Sequence, residues 1–261
     1  MIANEHSLFR YIPFERFCQM LFMKELVLVS PSKWPDKYEE YWLKRLSSHS
    51  GQKNVEEYAK RFDGNAEEYK IGILKLCEYI FKSAFCLCFS KKCDEEVLWN
   101  THSDEHRCVM YATTYDKVYN IVHENASTSI HDVQYDLETY SDIMPFLEKF
   151  SVAPSVTGLS SPEDVLLHKR ECFSYESEVR LIRSQYPADE SGVLKYPIED
   201  VSSFFEGIII HPLASEDYVS LVEKICEHFG IPFWGKSRIY EFEPSQEDKN
   251  GAYNSNIRNP G

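Results

Sequence analysis

Two carboxylates and a guanidinium stand at alternate positions in the segment YESEVRLI, residues 175–182. The segment reads as a β-strand, and alternate side chains of a strand share a face, so Glu176, Glu178 and Arg180 are predicted to lie together opposite an apolar face. One carboxylate of such a pair can stabilise positive charge developing on a sugar carbon, while the other orients or deprotonates a nucleophile. Glu178, central on this face, is predicted to be the essential group, with Glu176 assisting and Arg180 keeping a neighbouring carboxylate ionised.

The same alternation also fits a half-buried strand whose charged face meets water as a ladder of Glu–Arg pairs. Surface pairs of that kind contribute only about 0–1 kcal/mol. The alternation of residue types does not distinguish this structural interpretation from the catalytic one.

Two residues at the ends of other predicted strands extend the functional interpretation. Arg10 ends the first strand, and an arginine can hold a pyrophosphate in a bidentate manner. Ser90 ends a middle strand, and its hydroxyl could hold a ribose or an amide of a ligand. The structural alternatives are a solvated strand end for Arg10 and a turn cap for Ser90. Lys169 and Arg170 precede the charged segment and could supply counter-charge.

The elements that must position these residues follow from hydrophobic periodicity and turn signals. Strands are predicted at 8–11, 26–29, 83–90, 107–113, near 133, and at 192–198, 205–212 and 238–243. Helices are predicted after Pro13, beyond the loop 32–36, over 53–82, twice within 114–150, over 162–169, and over 215–229 with Gly230 as its stop signal. Because helices and strands mix without regular βαβ alternation, the predicted class is α+β, with mixed or antiparallel sheets and flanking helices.

Composition limits the classes of function. The 261 residues carry a net charge of −14, without the basic run that a protein bound to a phosphate backbone usually shows, so nucleic acid is not expected as a partner. No apolar run reaches the roughly 18 residues of a membrane helix, and no secretory signal is evident. A single domain over 1–243, a disordered tail over 244–261 and a cytoplasmic location are expected. The cysteines at 86, 88 and 93 are predicted to be buried thiols, with zinc as the alternative, and no metal is expected.

Three stretches together resemble a bacterial family, the domain of unknown function 2971. They are LFRYIPFERFCQMLFMKELVLVSPSKWPDKYEE, CLCFSKKCDEEVLWNTHSDEHRCVMYA and HKRECFSYESEVRLI, and the resemblance spans most of residues 8–215. The matching positions are Arg10-Tyr11, Pro31, Asp36, Glu39, Cys88-Phe89-Ser90, Leu98-Trp99, Lys169, Tyr175-Glu176, Glu178 and Arg180. The sequence departs from the family pattern at His102, where a tyrosine is usual, and at His106-Arg107, where a glycine is usual.

The order of these elements also looks like an ADP-ribosyltransferase core. That resemblance implies NAD as a substrate, with Arg10 on its diphosphate, Ser90 on the nicotinamide ribose and Glu178 at the reacting carbon. Tyr11 and Arg180 would complete the nucleotide site. The implied function is an NAD-dependent ADP-ribosyltransferase or NAD glycohydrolase, as a component of bacterial defence or a toxin.

Two other classes of function stay open. The first is a domain without catalysis that binds a nucleotide or a protein partner, for example as a sensor in phage defence. The second is a nuclease or phosphotransferase using His102, His106 and Glu95, against which the acidic charge counts.

Overall fold

The structure, a computed structural model, describes residues 6–34, 36, 38, 41–60, 66–102, 105–122, 128–137, 166–184 and 191–241. Its helices and one mixed sheet confirm the predicted α+β class. The strands are β1 (Ser7–Pro13), β2 (Glu25–Val29), β3 (Ala84–Ser90), β4 (Cys108–Thr114), β5 (Thr128–Asp132), β6 (Glu178–Ser184), β7 (Val193–Pro197), β8 (Gly207–Ile210) and β9 (Phe233–Lys236). The helices are α1 (Phe14–Met23), α2 (Tyr41–Ser47), α3 (His49–Ala59), α4 (Ala66–Ser83), α5 (Glu96–His102), α6 (Tyr115–Val122), α7 (Val201–Phe204) and α8 (Glu216–Phe229).

The sheet forks at β3. Its main path runs β5-β6-β3-β1-β4-β8-β9, and β2 and β7 form a second branch from β3. One edge of β3 pairs with β6 along its whole length. The other edge pairs with β1 at Ser90, opposite Phe9, and with β2 at Cys86, opposite Val29. Since β1 and β2 meet β3 at different points, the two branches separate next to the end of β3 that carries Ser90.

The two faces of the sheet bury different sets of residues. The larger core includes Leu8, Ile12, Phe89, Val179 and Leu181, with residues of α1, α6 and α8 packed against them. A smaller core on the other face contains Phe9, Tyr11, Met110, Leu98 and Trp99, the last two from α5. Alternation from Val179 and Leu181 therefore places Glu178 and Arg180 on the face of the smaller core.

Local signals set the ends of the helices that flank the sheet. Helix α1 begins directly after Pro13 and ends at Lys24, which adopts a left-handed conformation. The Ser215 hydroxyl accepts the Tyr218 N–H at the start of α8, and Gly230, at φ 67°, ends that helix. The predicted stop at Gly230 is thus the observed one.

Four predicted elements differ from the structure. The single helix predicted over 53–82 is wrong, because α3 ends at Ala59 and α4 begins at Ala66. Residues Glu171–Glu176 form a 3-10 helix and not the start of a strand, because Ser177 takes a left-handed φ of 43° and the strand begins at Glu178. Leu166 and Leu167 form a 3-10 turn where a helix was predicted. The last strand is β9, and residues 238–241, predicted as a strand, form a turn. The second helix of 114–150, the loop before Pro162 and the C-terminal tail lie outside the described residues.

Two glycines give opposite predictions for stability. A Cβ at Gly207 in β8 would lie 2.0 Å from the Trp234 ring, so Gly207→Ala is expected to cost about 1–3 kcal/mol. A Cβ at Gly72 in α4 would meet nothing within 4 Å, so Gly72→Ala is expected to stabilise by about 0.5–1 kcal/mol. Urea unfolding of both variants measures the difference, and a stabilising Gly207→Ala would contradict the close packing of Trp234 on this strand.

Candidate functional site

The candidate site lies where β6 begins beside the end of β3. Glu178 is the first residue of β6, and its cross-strand partner is Ser90, the last residue of β3. The left-handed Ser177 ends the 3-10 helix that carries Glu176 just before the strand, and Lys169 contacts the carboxylates of both Glu176 and Glu178. Backbone conformation, and not strand alternation, therefore brings the two carboxylates together.

Glu178 is buried between two cations. Its Oε1 accepts from Arg180 Nε at 2.9 Å and lies 2.8 Å from Arg180 Nη2, and its Oε2 accepts from Lys169 Nζ at 3.1 Å. Only 5% of Glu178 is exposed. Burial acts to raise its pKa, but the charges of Arg180 and Lys169 outweigh burial and hold the pKa at about 2. The carboxylate is therefore ionised throughout the physiological pH range.

Glu176 binds the same lysine but is less buried than Glu178. Its Oε2 lies 2.5 Å from Lys169 Nζ, and it is more exposed than Glu178, at 18% of its side chain against 5%. Burial raises the pKa of Glu176, and the attraction of Lys169 opposes that rise without cancelling it. The pair thus contains one strongly acidic carboxyl group and one that is more basic than an ordinary glutamate, joined by one ammonium group.

Neighbouring groups hold the acid pair in place. The Tyr135 hydroxyl accepts the Glu178 backbone N–H at 2.7 Å, and burial raises the pKa of this tyrosine to about 12, so it stays protonated. Cys88 lies opposite Arg180 in the ladder, beside the Glu178 carboxylate. Burial, then the Glu178 charge, raises the pKa of Cys88, so the thiol stays protonated.

The Arg180 side chain is buried and held by several contacts. Its side chain is 1% exposed, its Nη1 donates to the Leu166 carbonyl, and its guanidinium lies 4.5 Å from the centre of the Trp34 ring. These contacts fix the guanidinium against Glu178. Arg180 is therefore a structural partner of the acid in the described contacts, and not an open cation for a nucleotide.

Ser90 and Tyr11 also have engaged hydroxyls. Ser90 Oγ donates to the Glu176 carbonyl at 2.6 Å and accepts the Lys92 N–H at 2.9 Å, so it fixes the turn that carries Glu176. The Tyr11 hydroxyl accepts the Glu95 N–H at 3.0 Å, and its ring packs edge-on against Trp99. Both residues lie on the face of the acid pair, but their contacts here are with the protein.

Arg10 lies at the fork of the sheet. It is the first residue of β1 after the Phe9–Ser90 pair, and its cross-strand partner on β4 is Tyr111, which belongs to the larger core. Its Nη1 is buried and, among the described residues, has no hydrogen-bond partner. Loss of water around the His102 ring, then the charges of Arg10 and Lys169, lower the pKa of His102. Arg10 alternates with Phe9 and Tyr11, so it leaves β1 on the face of the larger core, and no described hydrogen bond or ion pair joins it to Glu176 or Glu178.

The charge cluster includes residues that the sequence interpretation did not select. Tyr135 and Trp34 carry no spacing signal, because they come from segments 43 and 146 residues before Glu178 and Arg180. Within the described ranges, no group of three or more His, Cys, Asp or Glu side chains is arranged to hold a metal, and no helix is long and apolar enough to cross a membrane.

No protein-family profile and no curated protein matches this chain, so its resemblance to the domain of unknown function 2971 stays a prediction. Among solved structures, it is similar to Thermus sp. 2.9 DarT in complex with NAD+, with a TM-score of 0.37, 8% identity, and 89% of this chain and 96% of that chain covered. The complex of the same DarT with ADP-ribosylated ssDNA gives a TM-score of 0.37 and 9% identity over 89% and 95% of the two chains.

Similarity of this size carries no argument about function. The prediction against nucleic acid, made from net charge, stays a prediction.

Proposed function

We propose that this protein cleaves the bond between nicotinamide and ribose in NAD and transfers the ADP-ribosyl group to water or to another acceptor. The observation that carries the proposal is the acid pair: Glu178 is buried yet held ionised, with a pKa of about 2, beside the more basic Glu176. An ionised carboxylate in a site of low dielectric is suited to stabilise a sugar cation, and a second, more basic one is suited to accept a proton.

The proposed reaction assigns one step to each carboxylate. The C–N glycosidic bond breaks, nicotinamide leaves with the bonding electron pair, and positive charge develops on the ribose carbon. Glu178 stabilises that charge, and Glu176 accepts the proton that the acceptor loses as its oxygen or nitrogen bonds to the same carbon. Both roles are the ones that the sequence predicted for these two residues.

Lys169 connects binding with reaction in this proposal. Its ammonium group forms ion pairs with Oε2 of Glu178 and with Glu176, and 13% of its side chain is exposed. A shift of Lys169 toward Glu176 would leave Oε2 of Glu178 to accept from a ribose hydroxyl, while Arg180 keeps Oε1. The buried Arg10 Nη1, which lacks a described partner, is the proposed donor to the diphosphate.

The direct test is incubation of the purified protein with NAD, followed by chromatography for free nicotinamide. Release of nicotinamide that depends on Glu178 and Glu176 supports the proposal. Because a transferase can require its acceptor, the assay is repeated with a cell extract and NAD labelled in its adenylate part. Absence of both nicotinamide release and labelled product would reject the enzyme.

A variant of the second carboxylate gives a specific prediction. Glu176→Gln is expected to slow nicotinamide release by about 10²–10⁴-fold, the usual contribution of a general base. The unfolding free energy should fall by only about 1 kcal/mol, since Lys169 retains Glu178 as its partner. The matched control is Glu171→Gln, the same chemical change at an exposed position of the same 3-10 helix, which should leave the rate unchanged.

A second candidate function is a nucleotide-binding domain without catalysis. It is favoured by the observation that both oxygens of Glu178 already have cationic partners. Under that function, the protein binds NAD or ADP-ribose in calorimetry, and Glu176→Gln and Glu178→Gln alter affinity while no nicotinamide is released.

A further inference from the structure

An alternating stack of aromatic rings and cations leads from the protein surface to the acid pair. The Arg170 guanidinium lies 3.9 Å from the centre of the Tyr38 ring and 4.9 Å from the centre of the Phe173 ring. Lys169 Nζ, which binds Glu176 and Glu178, lies 4.8 Å from the centre of the same Phe173 ring. The order Tyr38, Arg170, Phe173, Lys169 thus ends at the proposed reaction centre.

Two members of this stack, Tyr38 and Arg170, can accept more partners. Tyr38 is 52% exposed although it is a large aromatic residue. Arg170 Nη2 makes an ion pair with Asp36 at 3.4 Å, but its Nε is buried and, within the described part of the chain, has no hydrogen-bond partner. A stack that served only the fold would be expected to satisfy a buried donor of this kind.

The chemistry of the stack selects a class of ligand. An exposed tyrosine ring backed by a guanidinium favours a flat, electron-rich ring, since base–aromatic stacking and cation–π attraction act on the same face. An N–H donor at the edge of that surface favours a ring that carries acceptor atoms on its own edge. Nucleobases combine both properties, whereas aliphatic and cationic ligands have neither.

We infer that Tyr38, Arg170 and Phe173 form a stacking site for a nucleobase beside the acid pair. The inference rests on the proposed function, because it assigns the base of a nucleotide to the site that adjoins the proposed reaction centre. The base belongs either to the adenosine of the ADP-ribosyl donor or to an acceptor, and the recognition chemistry is the same in both cases.

The test measures binding without turnover. Isothermal calorimetry with ADP-ribose, and separately with a short single-stranded deoxyoligonucleotide, is performed on the full chain and on Tyr38→Ala. Loss of the ring is expected to weaken binding about tenfold. Tyr38→Phe should retain the affinity, and Tyr119→Ala, which removes a similarly exposed ring from α6, serves as the matched control.

The outcomes distinguish a donor base from an acceptor base. They also distinguish failure of the stacking site from failure of the proposed function. Weaker binding of ADP-ribose identifies the donor adenine, and weaker binding of the oligonucleotide alone identifies an acceptor base; either result supports the site. If the unaltered protein binds one of these probes and Tyr38→Ala binds it equally well, the stacking site is wrong while the proposed function stands. If the unaltered protein binds neither probe and releases no nicotinamide from NAD, both are wrong.

Discussion

Glu178→Gln is expected to abolish nicotinamide release and to destabilise the fold in the same variant. The carboxylate is the proposed stabiliser of the ribose cation, and a neutral amide cannot replace its charge. It is also the counter-charge of a guanidinium that is 1% exposed, so the unfolding free energy should fall by about 3–5 kcal/mol. Chromatography of nicotinamide and urea unfolding measure the two effects on one preparation.

Two controls separate loss of chemistry from loss of fold. Arg180→Met breaks the same buried ion pair and leaves the carboxylate with Lys169, so we expect a comparable loss of stability with measurable activity. Glu78→Gln makes the same chemical change in an exposed pair with Lys82 and should leave the urea midpoint nearly unchanged. Retained nicotinamide release by Glu178→Gln would show that its charge is only structural.

The same carboxylate predicts how stability depends on pH. The folded-state pKa of Glu178, about 2, lies below its ordinary value of 4.5, so its contribution is present above the ordinary value and is lost as pH falls toward 2. The shift corresponds to about 3 kcal/mol, and the raised pKa of Glu176 acts in the opposite direction. Urea unfolding at neutral pH and near pH 3 measures this effect. The unfolding free energy should change less between the two pH values in Glu178→Gln than in the unaltered protein.

Trp99→Ala is the second large expected effect. Trp99 is fully buried in the smaller core, packs against the edge of Tyr11, and donates from Nε1 to Asp94 at 2.8 Å. Truncation is expected to cost about 3–5 kcal/mol. Trp234→Ala is the matched control, because that ring is 39% exposed, and it should cost clearly less. An unchanged urea midpoint for Trp99→Ala would contradict its assignment to the core and favour contact with a ligand.

Hydrophobic patterning was sufficient to predict most strands and the class of fold. The runs around β1, β2, β3, β4 and β8 are short, apolar and bounded by turn signals, so their period and length leave few alternatives. Over residues 238–241 the predicted strand is not observed, because the adjacent Ile239 and Tyr240 also fit a turn that follows β9.

The acid pair shows the limit of the same reasoning. Strand alternation placed Glu176 and Glu178 together, and they do converge, but the cause is the left-handed Ser177 after a 3-10 helix. A spacing of two residues cannot distinguish these conformations. The partners that fix the charges, Trp34 and Tyr135, come from distant parts of the chain, and contacts of that separation leave no trace in local periodicity.

The position of β1 has a consequence for biosynthesis. This strand precedes β3 and β4 in the chain and lies between them in the sheet, so both of its edges stay unpaired until residues 84–114 have been made. The carboxylate of β6 joins still later, from residue 178 onward. Pairings so distant in sequence form slowly and leave apolar edges exposed meanwhile. The nascent chain therefore exposes apolar strand edges during synthesis, and the candidate site forms only after residue 178 has been made.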